Sequence, residues 1–362
     1  MEFALSESQR LIQESAQRLL ETVSTVERIQ QLAHDEGPLA EDVWLGMIGL
    51  GIPGMLVPEE YSGLGLSVLE ATLVSEMLGR HVAPVPFVAS VVMAPIALTG
   101  CASPAQCQTW LPALASGQLK VGVALSEHAA GARDGAQIVS VGNRLSGRSL
   151  FVLDFECADA FIVADRAGSL YWIDGKSVGL TRCSLRTVDL TRSIGELIFD
   201  SVEAEPLTHG DCQKVLRRML DAGRVMIAAD TLGAAQSMIE KAVDYAKVRE
   251  QFGRLIGSFQ AVKHMCAEMA AELEPARALV WYAGFALDER PDESSLMAAH
   301  AKAHLSEVGD FVARTSTEVH GGIGFTELLG LHYWFKRINA NRQLLGGPHR
   351  VRDDAARLQG LA

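Results

Sequence analysis

A segment between two predicted long helices combines residue types that suit an anionic ligand carrying a ring. It runs from Val248 to Gln260 and holds Arg249, Phe252 and two glycines. An arginine offers paired N–H groups to an anion, an aromatic ring can stack on the ligand, and a helix start adds unpaired backbone N–H groups. The same residues also make an ordinary polar turn, so the segment alone leaves both interpretations open.

A second candidate segment is rich in glycine. It reads EVHGGIGF over residues 318–325, with three glycines within four positions at Gly321, Gly322 and Gly324. Glycine tolerates positive φ and lets a ligand lie directly against the backbone. The alternative is a helix C-cap followed by a loop.

Two further patterns carry less chemistry. His300 and His304 are four residues apart and Glu307 follows, so a helix could turn all three toward one metal ion, but a solvated helix face explains them as well. The GxGxxG string at residues 49–54 follows a predicted helix and precedes a proline-rich loop. A dinucleotide site needs a strand before it and a helix after it, so we predict that residues 49–54 form a loop. For the His300, His304 and Glu307 set we predict a solvated helix face and no metal centre.

The elements that must position these segments fall into three predicted domains, a helical domain over residues 1–120, a β domain over 121–207 and a helical bundle over 212–362. Apolar residues in the first domain recur every three or four positions, whereas short β-branched runs alternate with turns in the second. We therefore predict an α+β multidomain fold with an N-terminal helical domain, a middle β-barrel or sandwich, and a C-terminal four-helix bundle. The predicted bundle helices cover residues 213–248, 259–288, 293–319 and 348–359.

Composition excludes several classes of protein. The 362 residues are 48% hydrophobic and 21% charged, as in ordinary globular proteins, and the net charge of −12 without a basic block argues against nucleic acid as a partner.

The start, MEFALSESQR, has no signal-peptide pattern, so a cytoplasmic location is expected. The uncharged stretch Val82–Gly100 contains three prolines and predicts a buried helix, not a membrane span. Six dispersed cysteines without a CxxC pattern predict free thiols.

Taken together, the motifs resemble the acyl-CoA dehydrogenase family. RxxFGxxIGxxQ at residues 249–260 is followed some sixty residues later by HGGxGF at 320–325. The loop at residues 50–65 and the sequence WLPALASG at 110–117 resemble the family's N-terminal loop and its entry into the β domain. The matches run in family order across nearly the whole chain, and the family fold has the same three parts.

The resemblance implies FAD as cofactor and an acyl-CoA thioester as substrate, oxidised to its trans-2-enoyl form. In the family, a carboxylate removes the α proton while the β hydrogen leaves as hydride to the flavin. Arg249 matches the arginine near the FAD pyrophosphate, and Phe252 and Gln260 match neighbouring flavin-contacting positions. Gly321 and Gly322 match the glycine pair beneath the dinucleotide. In family tetramers these residues largely serve the FAD of the adjacent subunit.

The flavin-ring side departs from the family pattern. Residues 126–134, SEHAAGARD, stand where the family has TEPGAGSD, and Ser126 is the position expected to contact the cofactor. Residues 151–153, FVL, replace the family's W-I-T/S run, so an aliphatic side chain replaces a hydroxyl that bonds the flavin ring. Glu318 replaces a glutamine beside the cofactor.

The catalytic base is absent from both positions that the family uses. Gly346 and Gly223 stand where the two subgroups carry their glutamate, and glycine has no group that accepts a proton. Asp221 is the nearest carboxylate, but each helical residue adds about 100° of rotation, so a residue two positions away points elsewhere. By the same resemblance, Arg224 and Asp221 are assigned to the substrate side.

These departures suggest a subunit that resembles the non-catalytic partner of α2β2 acyl-CoA dehydrogenases, such as those of sterol side-chain degradation. The expected partners are an acyl-CoA, a sister dehydrogenase subunit and, as a candidate electron acceptor, electron-transfer flavoprotein. The alternatives are a self-sufficient homotetrameric dehydrogenase with an unconventional base, a flavin-dependent monooxygenase on the same fold, and a binding subunit without flavin contact.

Overall fold

Six α-helices form the N-terminal part of the chain in the computed structural model, which describes residues 4–34 and 40–361. They are α1 (Glu7–Val23), α2 (Val26–His34), α3 (Glu41–Gly49), α4 (Val68–Arg80), α5 (Ala94–Cys101) and α6 (Pro104–Ala115). Helices α1, α4 and α6 each begin with a capping box. In this motif a serine and the residue three positions later satisfy each other's backbone N–H groups, which fixes where the helix starts.

The uncharged stretch after α4 forms a buried helix, as predicted. A π-helical turn, Val88–Met93, runs directly into α5, and all six of its residues are buried. The N–H of Ala89 donates to Asp154 Oδ2 at 2.8 Å, so a carboxylate from the β domain holds the start of this turn. Across the described residues, no helix combines the length and apolar character needed to cross a membrane.

Eight strands between Val121 and Leu207 form one sheet. They are β1 (Val121–Ala124), β2 (Ile138–Val141), β3 (Arg144–Leu153), β4 (Ala160–Ala164), β5 (Leu170–Asp174), β6 (Leu180–Ser184), β7 (Ile194–Glu203) and β8 (Glu205–Leu207). The order is β6-β7-β3-β1-β4-β5-β8, with β2 paired to β3; β1 and β4 run parallel and the other pairs are antiparallel. Phe161 of β4 and Phe199 of β7 are separated by two strands in this order yet share one buried cluster, so the sheet curls around its own core.

Helices dominate again after the sheet. They are α8 (Cys212–Val248), α9 (Gln260–Glu289), α10 (Pro291–His320), α11 (Leu331–Gln343) and α12 (Pro348–Leu358), and a short α7 (Ser126–Ala130) lies within the β domain. The three long helices follow one another through short links as an antiparallel bundle. Helix α4 crosses α8 at backbone contact, because a Cβ on Gly79 would lie 1.8 Å from Asp230 O and one on Gly233 1.8 Å from Glu76 O. The three-part architecture predicted from the sequence is confirmed.

A buried polar network fixes α11 against the other two domains. Arg192 of the β domain pairs with Asp230 of α8 at 3.0 Å. Asn341 of α11 donates to Asp230 Oδ1 at 2.6 Å and accepts from Arg192 Nε at 3.0 Å. Arg337 donates to the carbonyl of Ala83 at 2.8 Å. Buried charges are tolerated only when paired in this way, so the network sets the position of α11 and of the segment that follows it.

Candidate functional site

The arginine-aromatic segment forms a tight hairpin at the end of α8. Strands β9 (Glu250–Gln251) and β10 (Arg254–Leu255) pair on either side of Phe252 and Gly253, whose φ values are +54° and +75°. Two consecutive positive φ values are the geometry of a type I′ turn. The turn presents Phe252 outward with 92% of its surface exposed. Arg249, at the base of the hairpin, is also exposed, and the structure gives its guanidinium no hydrogen bond or ion pair among the described residues.

The hairpin packs against α8 although Arg249 and Phe252 are exposed. A Cβ on Gly257 would lie 2.7 Å from the carbonyl oxygen of Ala246, so the turn after β10 lies directly on α8. Arg254 stacks over the Phe259 ring at 3.9 Å. Gln260 then begins α9 and its side chain contacts His264 at 3.2 Å. The base of the hairpin is therefore packed on α8, and its tip is exposed.

The glycine-rich segment lies at the C-terminal end of α10. Gly321 ends the helix with φ +62°, and a Cβ on Gly321 or Gly322 would meet nothing within 4 Å. In contrast, a Cβ on Gly324 would lie 3.0 Å from the carbonyl oxygen of Thr317. The pair 321–322 thus presents open backbone to the outside, beside the exposed ring of Phe325.

Two stacked rings join the hairpin to the glycine-rich segment. Tyr245, in the last turn of α8, stacks on His320, the last residue of α10, with centroids 4.8 Å apart. His320 Nδ1–H donates to the Ser316 carbonyl at 2.7 Å, and burial lowers the pKa of the ring, which favours the neutral form that stacks here. The structure therefore brings Arg249 and Gly321 to the same end of the bundle.

The flavin-ring side, where Ser126 lies, is a narrow cleft between the β domain and the segment after α11. Its volume is about 60 Å³, whereas sites for drug-sized ligands occupy about 300–1,000 Å³. Phe151 and Leu345 both line the cleft and both have a φ of +54°, a conformation that is strained for bulky side chains. The remaining lining residues are Val123, Leu125, Ser126, Ala129, Ala130, Arg133, Leu153, Gln343 and Leu344.

Gly223 and Gly346, the two positions matched by sequence to the family's base, both lie next to Leu345. A Cβ on Gly223 would lie 2.6 Å from Leu345 Cδ1 and 3.0 Å from Met93 Sδ. Gly346 has φ +104°, and a Cβ there would lie 3.0 Å from the Ala129 carbonyl oxygen. The side chains of Leu345 and Met93 therefore fill the space beside Gly223, whereas the Ala129 carbonyl lies beside Gly346.

Asp221 and Arg224 are buried in separate polar contacts. Asp221 Oδ2 accepts from Arg217 Nε at 3.0 Å and from the hydroxyl of Ser295 on α10, and burial raises its pKa. Arg224 is fully buried; it donates to the Leu345 carbonyl at 3.0 Å and pairs with Asp354 at 2.8 Å. Contact of these two residues with substrate stays a prediction; here one supports α10 and the other holds the backbone of Leu345.

The metal alternative gains no support. Glu307 pairs with Arg342 at 3.1 Å and Arg352 at 3.0 Å instead of joining His300 and His304. Within residues 4–34 and 40–361, no group of three or more His, Cys, Asp or Glu side chains is arranged to hold a metal ion.

Sequence reasoning missed Leu345, Met93 and the Tyr245–His320 stack. Leu345 directly precedes Gly346, so its adjacency to a base position was the available signal. Met93 and Tyr245 carry no local signal, because each reaches its partner only through the packing of distant elements.

Comparison with known proteins adds independent support for the family. The family description "Acyl-CoA dehydrogenase, N-terminal domain" matches residues 6–118, and "Acyl-CoA dehydrogenase, C-terminal domain" matches residues 213–357. The acyl-CoA dehydrogenase IpdE2 of Mycolicibacterium smegmatis is 30% identical over 345 residues, which cover 95% of this chain and 96% of the relative.

Solved structures agree with this assignment. A variant of the Tcur3481-Tcur3483 steroid ACAD superposes with a TM-score of 0.87 at 29% identity, covering 98% of both chains. The ChsE4-ChsE5 complex from Mycobacterium tuberculosis gives a TM-score of 0.91 at 27% identity, covering 100% of both chains. With the three-part fold and both matched domains, this chain belongs to the acyl-CoA dehydrogenase family, whose members are FAD-dependent oxidoreductases acting on CH–CH bonds.

Proposed function

We propose that this chain is the base-less partner subunit of a heteromeric acyl-CoA dehydrogenase and completes an FAD site held mainly by a sister subunit. The observation that carries the proposal is the packing of Leu345 and Met93 against Gly223. A side chain at Gly223 would have to displace Leu345 and Met93, and one at Gly346 would meet the carbonyl oxygen of Ala129, so neither position offers open space for a base.

The chain's own cleft does not fit a flavin ring. At about 60 Å³ it holds only a few atoms, and the bulky side chains of Phe151 and Leu345 are among its lining. Asp221 does not supply the missing base there, because its carboxylate is bonded to Arg217 and Ser295 on the α10 side of the helix. This arrangement disfavours the self-sufficient dehydrogenase and the monooxygenase, both of which need a ring-binding site of their own.

The end of the bundle does fit the nucleotide half of FAD. Arg249 is an exposed cation, and the bidentate guanidinium geometry suits an anionic pyrophosphate. Gly321 and Gly322 leave open backbone on which a dinucleotide can lie. Phe252 and Gln260 lie on the exposed hairpin and at the start of α9 beside it. FAD supplies the redox chemistry in this family, and these residues of the chain would bind and orient it.

The relatives indicate the substrate class. One is named a steroid ACAD, and another solved structure is a complex of two differently named chains. We therefore propose an acyl-CoA thioester of a sterol side chain, with a fatty acyl-CoA as the broader class. A relative named as a subunit of a caffeyl-CoA reductase-Etf complex supports electron-transfer flavoprotein as the electron acceptor.

Bound flavin per chain tests the proposal. We expect little visible absorbance from the protein purified alone, and close to one FAD per pair after co-expression with a sister dehydrogenase. Arg249→Ala should lower the flavin content of the complex, whereas Lys247→Ala, an exposed lysine two residues away on α8, serves as the matched control. One FAD per chain in the protein alone would contradict the shared-site arrangement.

A further inference from the structure

Two cysteines from different domains are neighbours in this structure. Cys101 is the last residue of α5 and Cys212 is the first residue of α8. Burial and the neighbouring Cys212 together raise the pKa of the Cys101 thiol, and Cys212 Sγ donates to the Leu207 carbonyl at 3.0 Å. The N–H of His209 donates to the Cys101 carbonyl at 2.8 Å, which ties the two backbones together at the same point.

Backbone contacts on both sides hold these elements close. A Cβ on Gly210 would lie 2.6 Å from the carbonyl oxygen of Gly100, and a Cβ on Gly100 would lie 2.5 Å from Val215 Cγ2. A disulfide needs Cα atoms about 4.4–6.8 Å apart and little backbone movement. The close approach of residues 100 and 210, together with the His209–Cys101 backbone hydrogen bond, holds the two cysteine-bearing segments side by side.

The two thiols differ in access to solvent. Cys101 is fully buried, and burial together with the neighbouring Cys212 raises the pKa of its thiol to about 12. Cys212 is partly exposed and lines an open cleft of about 640 Å³, between residues 168–171 and 206–213. We therefore expect a small oxidant to react first with Cys212. Cys101, which is buried beside it, would be the resolving thiol that attacks the oxidised sulfur.

We propose that Cys212 and Cys101 form a peroxide-responsive dithiol that closes to a transient disulfide. The Cys212 thiolate attacks one oxygen of hydrogen peroxide, the O–O bond breaks, and the departing hydroxide takes up a proton to become water. The sulfenic acid left on Cys212 is then attacked by the Cys101 sulfur, which forms the S–S bond and releases a second water. Two thiols are oxidised and one peroxide is reduced to two waters.

The disulfide would have a structural consequence. It would join α5 to α8 across a loop that contains the whole β domain, Val121 to Leu207. Cross-linking a long loop restricts the unfolded chain and stabilises the folded one. Oxidation should therefore stiffen the junction at which the sheet meets both helical domains.

Peptide mapping of the full chain without reductant, before and after treatment with hydrogen peroxide, tests the proposal. We expect loss of two of the six thiols, a Cys101–Cys212 peptide, and a Tm increase of several degrees that dithiothreitol reverses. In Cys101→Ser, dimedone should trap a sulfenic acid on Cys212. Cys212→Ser should abolish the cross-link, and Cys266→Ser, which removes another half-buried thiol, should leave it unchanged.

Other oxidation products would overturn the inference. Cys107 is the main competitor because its thiol donates to the Leu98 carbonyl at 3.4 Å, close to the turn that carries Cys101. A Cys107 disulfide, a cross-link between chains, or oxidation that begins at Cys266 would each show that Cys101 and Cys212 are not the responsive pair. Survival of all six thiols under peroxide would have the same meaning.

Discussion

The side chain of Leu345 occupies the space that a Cβ on Gly223 would need, with Cδ1 only 2.6 Å from that Cβ position. Gly223 lies in the middle of α8, and Leu345 lies just after α11, where its carbonyl accepts from Arg224. The contact links Gly223, one position matched to the family's base, to the residue that directly precedes Gly346, the other. Such close packing is typical of a protein core, and it supports our proposal that this chain carries no catalytic base there.

The packing of Gly223 predicts a specific pair of mutational effects. Gly223→Ala should lower the free energy of unfolding by about 1–3 kcal/mol, because a well-packed core does not accept an extra methyl group. Leu345→Ala in the same chain should restore part of that loss by removing the opposing methyl groups. Urea unfolding of the wild type, both single variants and the double variant should give a coupling energy of about 1–2 kcal/mol.

Gly49→Ala provides the control for this cycle. Gly49 ends α3, and a Cβ there would meet nothing within 4 Å. Its replacement should change stability by no more than about 0.5 kcal/mol. Purely additive effects of the substitutions at residues 223 and 345 would mean that the contact does not limit side-chain size.

Restoring a carboxylate should not restore catalysis. Gly346→Glu places a β-carbon at φ +104° and 3.0 Å from the Ala129 carbonyl, and Gly223→Glu meets Leu345 and Met93. Neither variant gains a cleft that admits the flavin ring. With FAD and saturated acyl-CoA probes supplied, dye-reduction assays on the isolated variants should show no turnover, after circular dichroism has shown that they fold. Substantial turnover from either folded variant would support a self-sufficient dehydrogenase.

The fold was largely predictable from the sequence because the spacing of apolar residues distinguishes long helices from short strands. Residues 213–248 were predicted as a helix, and α8 covers Cys212–Val248. Helix α11 was missed because Arg337 and Asn341 look like surface residues in the sequence. In the structure both are buried, where Asp230 and Arg192 compensate them, and such compensation depends on residues from other domains.

The residues of the candidate site were predictable from their types and spacing, but the narrowness of the cleft was not. Arg249, Phe252 and the glycine pair stand out by their spacing, and they lie at one end of the bundle. Closure of the cleft was not predictable, because Leu345 and Met93 read as routine core residues and meet Gly223 only through packing of three separate segments.

A substitution in the hairpin turn should lower cofactor binding without lowering the stability of the chain. Phe252 has φ +54°, a conformation that asparagine adopts more readily than phenylalanine in a type I′ turn. Phe252→Asn should therefore leave the Tm of the isolated chain unchanged or higher, despite loss of the edge contact with Phe259 at 6.2 Å. In the complex with a sister subunit, the same variant should retain less flavin.

Leu358→Asn tests whether any exposed apolar side chain has this effect. Leu358 is 47% exposed at the end of α12, away from the hairpin. We expect its replacement to leave flavin retention at the wild-type level. Equal loss of flavin in both variants would point to general destabilisation instead of a contact at Phe252.

The buried carboxyl of Asp154 should make the free energy of unfolding depend on pH, and Asp154→Asn should remove that dependence. Burial raises the pKa of this carboxyl from its ordinary 3.8 to about 6, against the opposing hydrogen bond from the Ala89 N–H. The folded chain therefore binds this proton more tightly than the unfolded chain does. The stability contributed by the protonated carboxyl is fully present below about pH 4 and is lost as the pH rises through about 6.

Asp154→Asn mimics the protonated form at every pH and still accepts from Ala89. Relative to wild type, its free energy of unfolding should therefore rise by about 2 kcal/mol between pH 4 and 7, since one pKa unit corresponds to about 1.4 kcal/mol. Urea unfolding at several pH values measures this difference, and Asp200→Asn, at an exposed position of β7, is the control. A difference between Asp154→Asn and wild type that stays constant over this range would show that Asp154 does not titrate between the two states.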